Sequence, residues 1–336
     1  MTLSDVARRA GVSLATASRA INGSTDRKVG EDLRERVLAA AQELHYSPDA
    51  NAQAMARGHT STLGLIVHDI TDPYFSSIAA GVTQAADEAG LAVTLADANH
   101  DPSRELTFVR TLQNQRVRAI ILAGGRRDDD AINRRLRTAL AAYRRSGGTV
   151  ALVGQPILGV DAVRADNTGG AAALATSLHG LGYRRFGVLA GPVVHLTARE
   201  RADAFVGELR RLGVSVEPDA VVPGEFTWAG GHAAMTELLT RRVDVDLVFA
   251  VNDVMALGAM SAAREAGRSV PGALALAGFD DIVTLRDVTP GLTTVRIPMV
   301  EMGRAATSLA LTPSAGEPRL LTLPGSVLLR ESTPAV

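Results

Sequence analysis

The sequence contains no cysteine among its 336 residues. Disulfides, thiolate metal sites and cysteine nucleophiles are therefore excluded, and this composition suits a reducing compartment. The chain also lacks a long apolar run, because charged residues or glycines interrupt each run before the roughly 18 residues that a membrane helix needs. Met1 leads into Thr2 and Leu3 without the basic and apolar segments of a secretory signal. We therefore expect a cytoplasmic protein that does not enter a membrane.

The chain carries almost no net charge, with a formal value of −1 at pH 7. This balance argues against a uniformly basic surface for nucleic acid. Residues 1–30 differ from the average, because they hold five basic side chains and two acidic ones. The basic side chains are Arg8, Arg9, Arg19, Arg27 and Lys28. A local excess of positive charge therefore lies at the N-terminus.

Two short helical patterns open the chain. Thr2 and Asp5 have the spacing of a capping box, and apolar residues recur at helical spacing from Leu3 until Gly11 ends the pattern. Ser13 is placed to cap a second helix that runs to about residue 21. Two helices joined by a glycine-led turn are typical of the helix-turn-helix, which lays its second helix in the major groove of DNA.

A third helix is predicted over residues 31–46 and ends before Pro48, which completes a three-helix domain over residues 1–47. The segment DANAQAMAR that follows, residues 49–57, permits a helix. It is shorter than the ~12 to 15 residues at which isolated helices become marginally stable. We expect it to become ordered only when a partner binds it.

From residue 63 onward, short apolar stretches alternate with amphipathic stretches of helix length. This alternation predicts an α/β fold with doubly wound parallel sheets. There are more predicted strands than one such sheet usually carries, so two lobes are expected. The predicted strands cover residues 63–70, 91–99, 118–124, 149–154, 185–191, 246–253 and 273–281. The segment RRDDD, residues 126–130, is predicted to be an exposed loop.

Six segments, in this order along the chain, resemble the LacI/GalR family of bacterial transcription regulators. They are LSDVARRAGVSLATASRAIN, ELHYSPDANAQAMAR, DNTGG, VNDVMALGAM, GFDD and LTTVRIP. The resemblance implies an N-terminal helix-turn-helix domain, a hinge helix with its linker at 48–60, and a two-lobed core like the periplasmic sugar-binding proteins. Lobe one would comprise residues 61–160 and 291–320, and lobe two residues 161–290 and 321–336.

The resemblance further implies a regulator, most often a repressor, that binds double-stranded operator DNA as a homodimer. A small molecule bound between the lobes, with a sugar expected before a sugar phosphate or nucleobase, would control its affinity for DNA. The C-terminal LTLPGSVLLREST carries no heptad pattern, which favours a dimer over a larger assembly. We expect no cofactor and no metal.

By this resemblance, the recognition helix turns Leu14, Ala15 and Arg19 toward base edges. Leu14 and Ala15 cannot form hydrogen bonds and could read only thymine methyls or DNA shape, whereas Arg19 can hold a guanine with two hydrogen bonds. The alternative is that these are exposed positions of a small helical bundle. The full set of predicted DNA contacts is Thr2, Ser13, Leu14, Ala15, Thr16, Ser18, Arg19, Asn22, Asn51 and Met55.

Met55 falls where the family usually has a leucine that enters the minor groove and kinks the duplex. Methionine is among the side chains able to unstack bases in this way. It is also the only large apolar residue of DANAQAMAR. The alternative is a surface methionine in a linker.

The predicted effector site rests mainly on Arg201 and Asp280, which the resemblance places in the cleft, where they could hold a polyol from opposite sides. Solvated surface charge is the alternative for both. Tyr74 and Phe75 offer an aromatic platform, or they pack into the core of lobe one. The full set is Tyr74, Phe75, Asp166, His195, Thr197, Arg201, Phe226, Trp228, Asn252 and Asp280.

Several of these positions have a second interpretation. Asp166 and Asn252 follow predicted strands, where ligands bind in α/β sheets, although both residue types also cap helices. Asp253 is interpreted as a helix cap alone. Trp228, the only tryptophan, has core packing as an equal alternative.

A solute-binding protein and an enzyme are the two alternative functions. A solute-binding protein with this core would need an export signal, and none is predicted. An enzyme acting on sugars could use carboxylates such as Asp280 or Asp166. The sequence contains no GxxxxGK[ST], HExxH or GxSxG motif, so the regulator is the favoured function.

Overall fold

The computed structural model describes residues 1–22, 29–47, 59–312 and 316–336, without the side chain of Asn22. It divides into two compact units, Met1–Thr60 and Ser61–Val336. Among the described residues, no helix is both long and apolar enough to span a bilayer.

The first unit contains three helices, α1 (Leu3–Ala10), α2 (Leu14–Asn22) and α3 (Glu31–Glu43). The predicted capping box is present, because the Thr2 hydroxyl accepts from the Asp5 amide at 3.4 Å and the Asp5 carboxylate accepts from the Thr2 amide at 2.9 Å. The Thr16 amide donates to the Ser13 hydroxyl at 3.1 Å, which begins α2. Small apolar side chains form the core: Val6, Ala7, Ala10, Ala17, Ala20, Val37 and Ala40.

The third helix ends at Glu43 instead of at the predicted Tyr46. His45 has a φ of 47°, in the left-handed region, and the Tyr46 amide donates back to the Ala41 carbonyl at 2.8 Å. This is the 6→1 hydrogen bond with which many helices close their last turn. The sequence pattern remained apolar through Tyr46, which is why the prediction extended too far.

A six-stranded parallel sheet forms the first lobe of the second unit, in the order β11-β5-β4-β3-β1-β2. Side chains alternate between its two faces, so that Leu65 packs in one core cluster and Ile66 in the other. Its strands are β1 (Thr62–Val67), β2 (Ala92–Asp97), β3 (Ala119–Ala123), β4 (Thr149–Val153), β5 (Asp161–Ala165) and β11 (Leu320–Leu323). Its helices are α4 (Pro73–Glu88), α5 (Pro102–Asn114), α6 (Asp130–Arg145) and α11 (Met299–Leu311).

The second lobe contains a four-stranded parallel sheet in the order β7-β6-β8-β9. Its strands are β6 (Phe186–Leu189), β7 (Val221–Val222), β8 (Leu247–Ala250) and β9 (Ala275–Ala277). The helices are α7 (Asn167–Gly180), α8 (Leu196–Arg211), α9 (Trp228–Arg241) and α10 (Asp253–Glu265), with 3-10 turns at Pro218–Ala220 and Val283–Asp287. An antiparallel pair, β10 (Thr294–Arg296) and β12 (Ser326–Leu328), lies outside both sheets.

The predicted lobe boundaries at residues 160/161 and 320/321 need correction. Strand β5 pairs with β4, and β11 pairs with β5, so both belong to the first sheet. The chain therefore leaves this sheet after Ala165 and after Leu323. The strand DAVRA was not predicted, because Asp161 and Arg164 interrupt the apolar pattern by which buried strands are recognised.

Two glycines permit α4 and α11 to approach each other closely. A Cβ on Gly303 would collide with the Ile78 carbonyl oxygen, and a Cβ on Gly81 would collide with the Val300 carbonyl oxygen. Backbone atoms cannot move aside as the end of a side chain can. Any larger residue at either position must therefore push the two helices apart.

We expect Gly303→Ala to lower the free energy of unfolding by about 1–3 kcal/mol through overpacking. Gly207→Ala in α8 is the matched control, because its added Cβ meets open space. The control should leave the free energy of unfolding unchanged or raise it by about 0.4–1 kcal/mol, because alanine lowers the conformational entropy of the unfolded chain. Urea denaturation measures both, and equal midpoints for the two variants would contradict the close helix contact.

Candidate functional site

Most of the described side chains predicted to contact DNA lie on α2 or directly before it. Ser13 and Ala15 are exposed, and Leu14 is 50% exposed although it is apolar. Thr16, Ser18 and Arg19 are partly exposed on the same helix, and Thr2 is exposed at the start of α1. Core packing does not explain an exposed leucine at the first position of a helix. The side chain of Asn22, together with Asn51 and Met55, lies outside the described residues.

The second candidate site lies where the strands of the two lobes end. At its centre, Arg201 of α8 donates to the Asp280 carboxylate at 2.7 Å. These two residues are only 1% and 3% exposed, so the surface-charge interpretation is wrong for both. The guanidinium also lies 4.0 Å from the centroid of the Phe279 ring, a cation–π contact in a buried setting.

Further hydrogen bonds occupy the Arg201 guanidinium. Its Nε donates to the Asn167 side-chain oxygen at 3.0 Å, and another nitrogen donates to the Val251 carbonyl at 2.9 Å. Burial raises the pKa of Asp280 above its usual value, while Arg201 beside it acts in the opposite direction. Removal of Arg201 would therefore leave a buried carboxyl group with its strongest partner gone.

The backbone of Asp280 adopts an unusual conformation, with a φ of 119°, and Asp281 follows with a φ of 57°. Asp253 stabilises this turn, because its carboxylate accepts from the Thr294 hydroxyl at 2.7 Å and from the Ile282 amide at 3.0 Å. Non-glycine residues in such conformations cost free energy and cluster at functional sites. The strain therefore supports a functional role for this turn.

Asp253 does not cap α10, so the interpretation of this residue as a helix cap is wrong: its carboxylate accepts from Thr294 and Ile282 instead. Asn252 caps α10, because its side-chain oxygen accepts from the Met255 amide at 2.8 Å. Asp166 likewise caps α7 by accepting from the Gly169 amide at 2.9 Å. The capping interpretation thus holds for Asn252 and Asp166, and Asp253 orients the turn that carries Asp280.

The two aromatic residues at the start of α4 have different surroundings. Phe75 is 6% exposed and belongs to the core cluster, as the core interpretation expected. Tyr74 is partly buried and meets Phe75 edge-on at 4.9 Å. Burial raises the pKa of Tyr74, and the nearby Asp280 carboxylate adds to this effect. Tyr74 of lobe one therefore lies close to the buried ion pair of lobe two.

His195 and Phe226 stack with ring centroids 4.8 Å apart. Burial lowers the pKa of His195 to about 3, with a smaller contribution from Arg201, so the ring is neutral at pH 7. Among the residues that the structure describes, its Nδ1 is the one buried side-chain polar atom without a hydrogen-bond partner. One hydrogen-bonding position of this ring is therefore unfilled in the structure.

Trp228 is 45% exposed and stacks on His232 at 5.4 Å, so the core-packing interpretation is wrong. It begins α9, two residues after the half-buried Phe226. Thr197 accepts a hydrogen bond from the Gln155 side chain at 2.9 Å. As the only tryptophan of the chain, Trp228 gives a single source of tryptophan fluorescence.

Sequence reasoning missed a set of buried polar residues. Arg126 is 3% exposed instead of lying in an exposed loop, because Glu105 accepts from it at 2.8 Å and it also contacts His68 at 2.9 Å. Gln155, Asn167 and Glu200 form hydrogen bonds around the cleft. Only the DNTGG motif, which contains Asn167, gave a signal for any of the three. Over the described ranges, no cluster of three or more His, Asp or Glu residues could hold a metal.

Family models match two parts of the chain. Residues 2–49 match a model described as bacterial regulatory proteins of the lacI family, and residues 175–333 match a periplasmic binding protein-like domain. The transcriptional repressor CytR of Escherichia coli K12 is 34% identical over 319 residues, which cover 94% of this chain and 90% of CytR. The transcriptional regulator GalR of the same strain is also 34% identical, with the same coverage of both chains.

Two solved structures of transcriptional regulators are similar to almost the whole chain. The lac repressor dimer bound to operator and the anti-inducer ONPF matches with a TM-score of 0.83 and 26% identity, over 100% of this chain and 99% of that one. A complex of the transcriptional regulator CelR with cellobiose matches with a TM-score of 0.72 and 32% identity, over 99% of both chains. The likeness therefore extends over both units of the chain.

We expect Arg201→Met to lower the free energy of unfolding by about 3–5 kcal/mol, because it leaves the buried Asp280 carboxyl unpaired. Adding Asp280→Asn should recover part of this loss, since the charge is then gone as well. Arg211→Met is the matched control: Arg211 pairs with Glu208 at 2.7 Å with its side chain 67% exposed, and its loss should barely change stability. Urea denaturation distinguishes these cases, and equal effects at positions 201 and 211 would contradict a buried pair.

Proposed function

Since the chain belongs to the LacI family and is a DNA-binding transcriptional regulator, we propose that it is a repressor controlled by an uncharged sugar bound between the lobes of its core. It is not an enzyme: its relatives regulate transcription. The observation that carries the proposal is the buried Arg201–Asp280 pair on a strained turn, beside Tyr74 and the unpartnered nitrogen of His195.

The two buried arginines of the cleft favour a neutral ligand over a sugar phosphate at that depth, because each already has an acidic partner. Arg201 is held by Asp280 and by two further acceptors, and Arg126 is held by Glu105. His195 is neutral at pH 7 because burial lowers its pKa to about 3. A phosphate would need a cation that is not already neutralised. A polyol needs only donors, acceptors and aromatic faces, and one similar regulator was solved with cellobiose.

For this site we propose contacts from Tyr74, His195, Thr197, Arg201 and Asp280 to the effector. Phe226 and Trp228 would supply aromatic faces, and Asp166 and Asn252 would contribute the oxygen lone pairs that capping leaves over. Phe75 would support Tyr74 from the core. The partly buried Tyr74 and the neutral His195 suit the apolar and polar faces of a sugar ring.

On DNA, we propose that α2 lies in the major groove, with Arg19 on a guanine and Leu14 and Ala15 against bases. Thr2, Ser13, Thr16 and Ser18 would contact phosphates through hydroxyl groups. Asn22 and Asn51 would add polar contacts, and Met55 would enter the minor groove. The assignment of residues 1–47 to a DNA-binding domain and of residues 48–60 to a hinge is part of this proposal.

We propose that the protein acts in the cytoplasm as a homodimer on a near-palindromic operator. Two copies of one DNA-binding domain require two half-sites. A similar structure is the lac repressor dimer on its operator. Effector binding would change operator affinity through a coupling free energy of ~1 to 3 kcal/mol, which is typical of such linkage.

The test begins with selection of preferred fragments from genomic or random DNA by the purified protein. Trp228 fluorescence is then titrated with neutral sugars, sugar phosphates and nucleobases. We expect a neutral sugar to change the emission and to alter affinity for the selected fragment. If no fragment were preferred, the proposed binding to an operator would be rejected. A response to sugar phosphates alone would reject the proposal that the effector is a neutral sugar.

Arg19→Ala should weaken binding to the selected fragment by ~1 to 3 kcal/mol and relax the preference at one base pair per half-site. Arg34→Ala on α3, where Arg34 pairs with Glu31 at 3.4 Å, serves as the control for loss of one positive charge. Gel-shift titrations compare the selected fragment with random DNA. Equal loss on both DNAs would mean that Arg19 contacts only the backbone.

A further inference from the structure

Gln155 connects the two lobes of the core through its side-chain amide. It follows β4 of the first sheet and is 5% exposed. Its oxygen accepts from the Arg126 amide of its own lobe at 2.7 Å. Its nitrogen donates to the Thr197 hydroxyl at 2.9 Å and to the Glu200 carboxylate at 3.1 Å, both on α8 of the other lobe. Each polar atom of the amide is therefore used.

The chain of hydrogen bonds continues from Glu200 to the buried ion pair. The Asn167 side-chain nitrogen donates to the same Glu200 oxygen at 2.7 Å, and the Asn167 oxygen accepts from Arg201 Nε at 3.0 Å. Arg201 then donates to Asp280 at 2.7 Å. An unbroken path thus joins lobe one to the two residues at the centre of the proposed effector site.

Backbone contacts bring the same parts of the lobes together. The Leu196 amide donates to the Arg126 carbonyl at 2.9 Å, and the Asp128 amide donates to the Val194 carbonyl at 2.8 Å. A Cβ on Gly125 would collide with the Thr197 hydroxyl and with the His195 ring. The lobes therefore meet closely here, and Gln155 lies within a tightly packed contact.

We propose that Gln155 is a positioning residue that couples closure of the two lobes to the placement of Arg201 and Asp280. When the lobes separate, Gln155 leaves Glu200, and Asn167 is the remaining amide that holds this carboxylate. The orientation of Arg201 then rests on fewer hydrogen bonds. This inference rests on the proposed effector site, and it assigns to Gln155 the control of how that site forms.

The side-chain chemistry explains why an amide is required at position 155. One atom must accept from a backbone N–H, and the other must donate to a carboxylate. A glutamate at this position would still accept from Arg126, but it would place its second oxygen against the Glu200 carboxylate. Like charges at this separation in a largely buried site repel strongly.

The test measures separation of the lobes without any effector. Because the chain has no cysteine, Thr138→Cys on α6 and Thr236→Cys on α9, both exposed, give two unique labelling sites for a fluorescence-energy-transfer distance. In this background we expect Gln155→Glu to raise the ratio of open to closed molecules about tenfold or more, the loss expected for a hydrogen bond to a charged group.

The exchange Gln155→Glu with Glu200→Gln should restore part of the distance of the parent, because it removes the repulsion between two carboxylates. The glutamate would again accept from the Arg126 amide and would accept from the new amide at position 200, so that no second carboxylate faces it. The Asn167 nitrogen, which donates to the same Glu200 oxygen as Gln155, would lose this acceptor. Glu200→Gln alone keeps an acceptor oxygen and should stay near the parent, which protects the test if Gln155→Glu fails to fold. Gln115→Glu, at an exposed position of the first lobe, is the control for added charge.

An unchanged distance in Gln155→Glu, or the absence of even partial restoration by the exchange, would overturn the proposal. A second readout is the affinity for the sugar that gives the largest Trp228 response, which should fall about tenfold in Gln155→Glu and return in part in the exchange variant. The distance measurement needs neither DNA nor sugar. Failure of the proposed repressor function would therefore be seen separately from failure of the role of Gln155.

Discussion

The buried ion pair between Arg201 and Asp280 is the interaction on which the core depends. Taking a guanidinium and a carboxylate out of water is costly, and the cost is offset only when every other donor and acceptor is satisfied. Here the Asn167 side chain and the Val251 carbonyl accept the other Arg201 hydrogen bonds. The pair therefore fixes the start of α7, the end of β8 and the 278–281 turn relative to α8.

The turn that carries Asp280 shows how this constraint is maintained. The Asp280 backbone has a φ of 119°. Asp253 holds the turn in this conformation by accepting hydrogen bonds from Thr294 and Ile282. A carboxylate whose position is fixed in this way is held in place before a ligand arrives, which reduces the ordering cost of binding. In the proposed repressor, this geometry would select the effector, and the Gln155 amide would control when both lobes contribute to the site.

Much of the fold could be predicted from the sequence, because its signals are local. The capping box of Thr2 and Asp5, the start of α2 at Ser13 and the apolar strands follow from neighbours a few residues apart. The strand at Asp161–Ala165 was missed because it is short and carries charges, and it is a strand only because β4 and β11 lie on either side of it. The lobe boundary depends on that pairing and could not be found locally.

The sequence by itself determined a DNA-binding domain followed by a two-lobed α/β core. Through the family resemblance, it also identified Arg201 and Asp280 as candidate site residues. Only the tertiary structure decided that these two side chains are buried partners, that Arg126 lies inside, and that Gln155 bonds to Glu200. Arg201 and Asp280 are 79 positions apart, and Gln155 and Glu200 are 45 apart. Periodicity reports which face of an element is apolar, whereas the partner of a polar side chain is set by how distant elements pack.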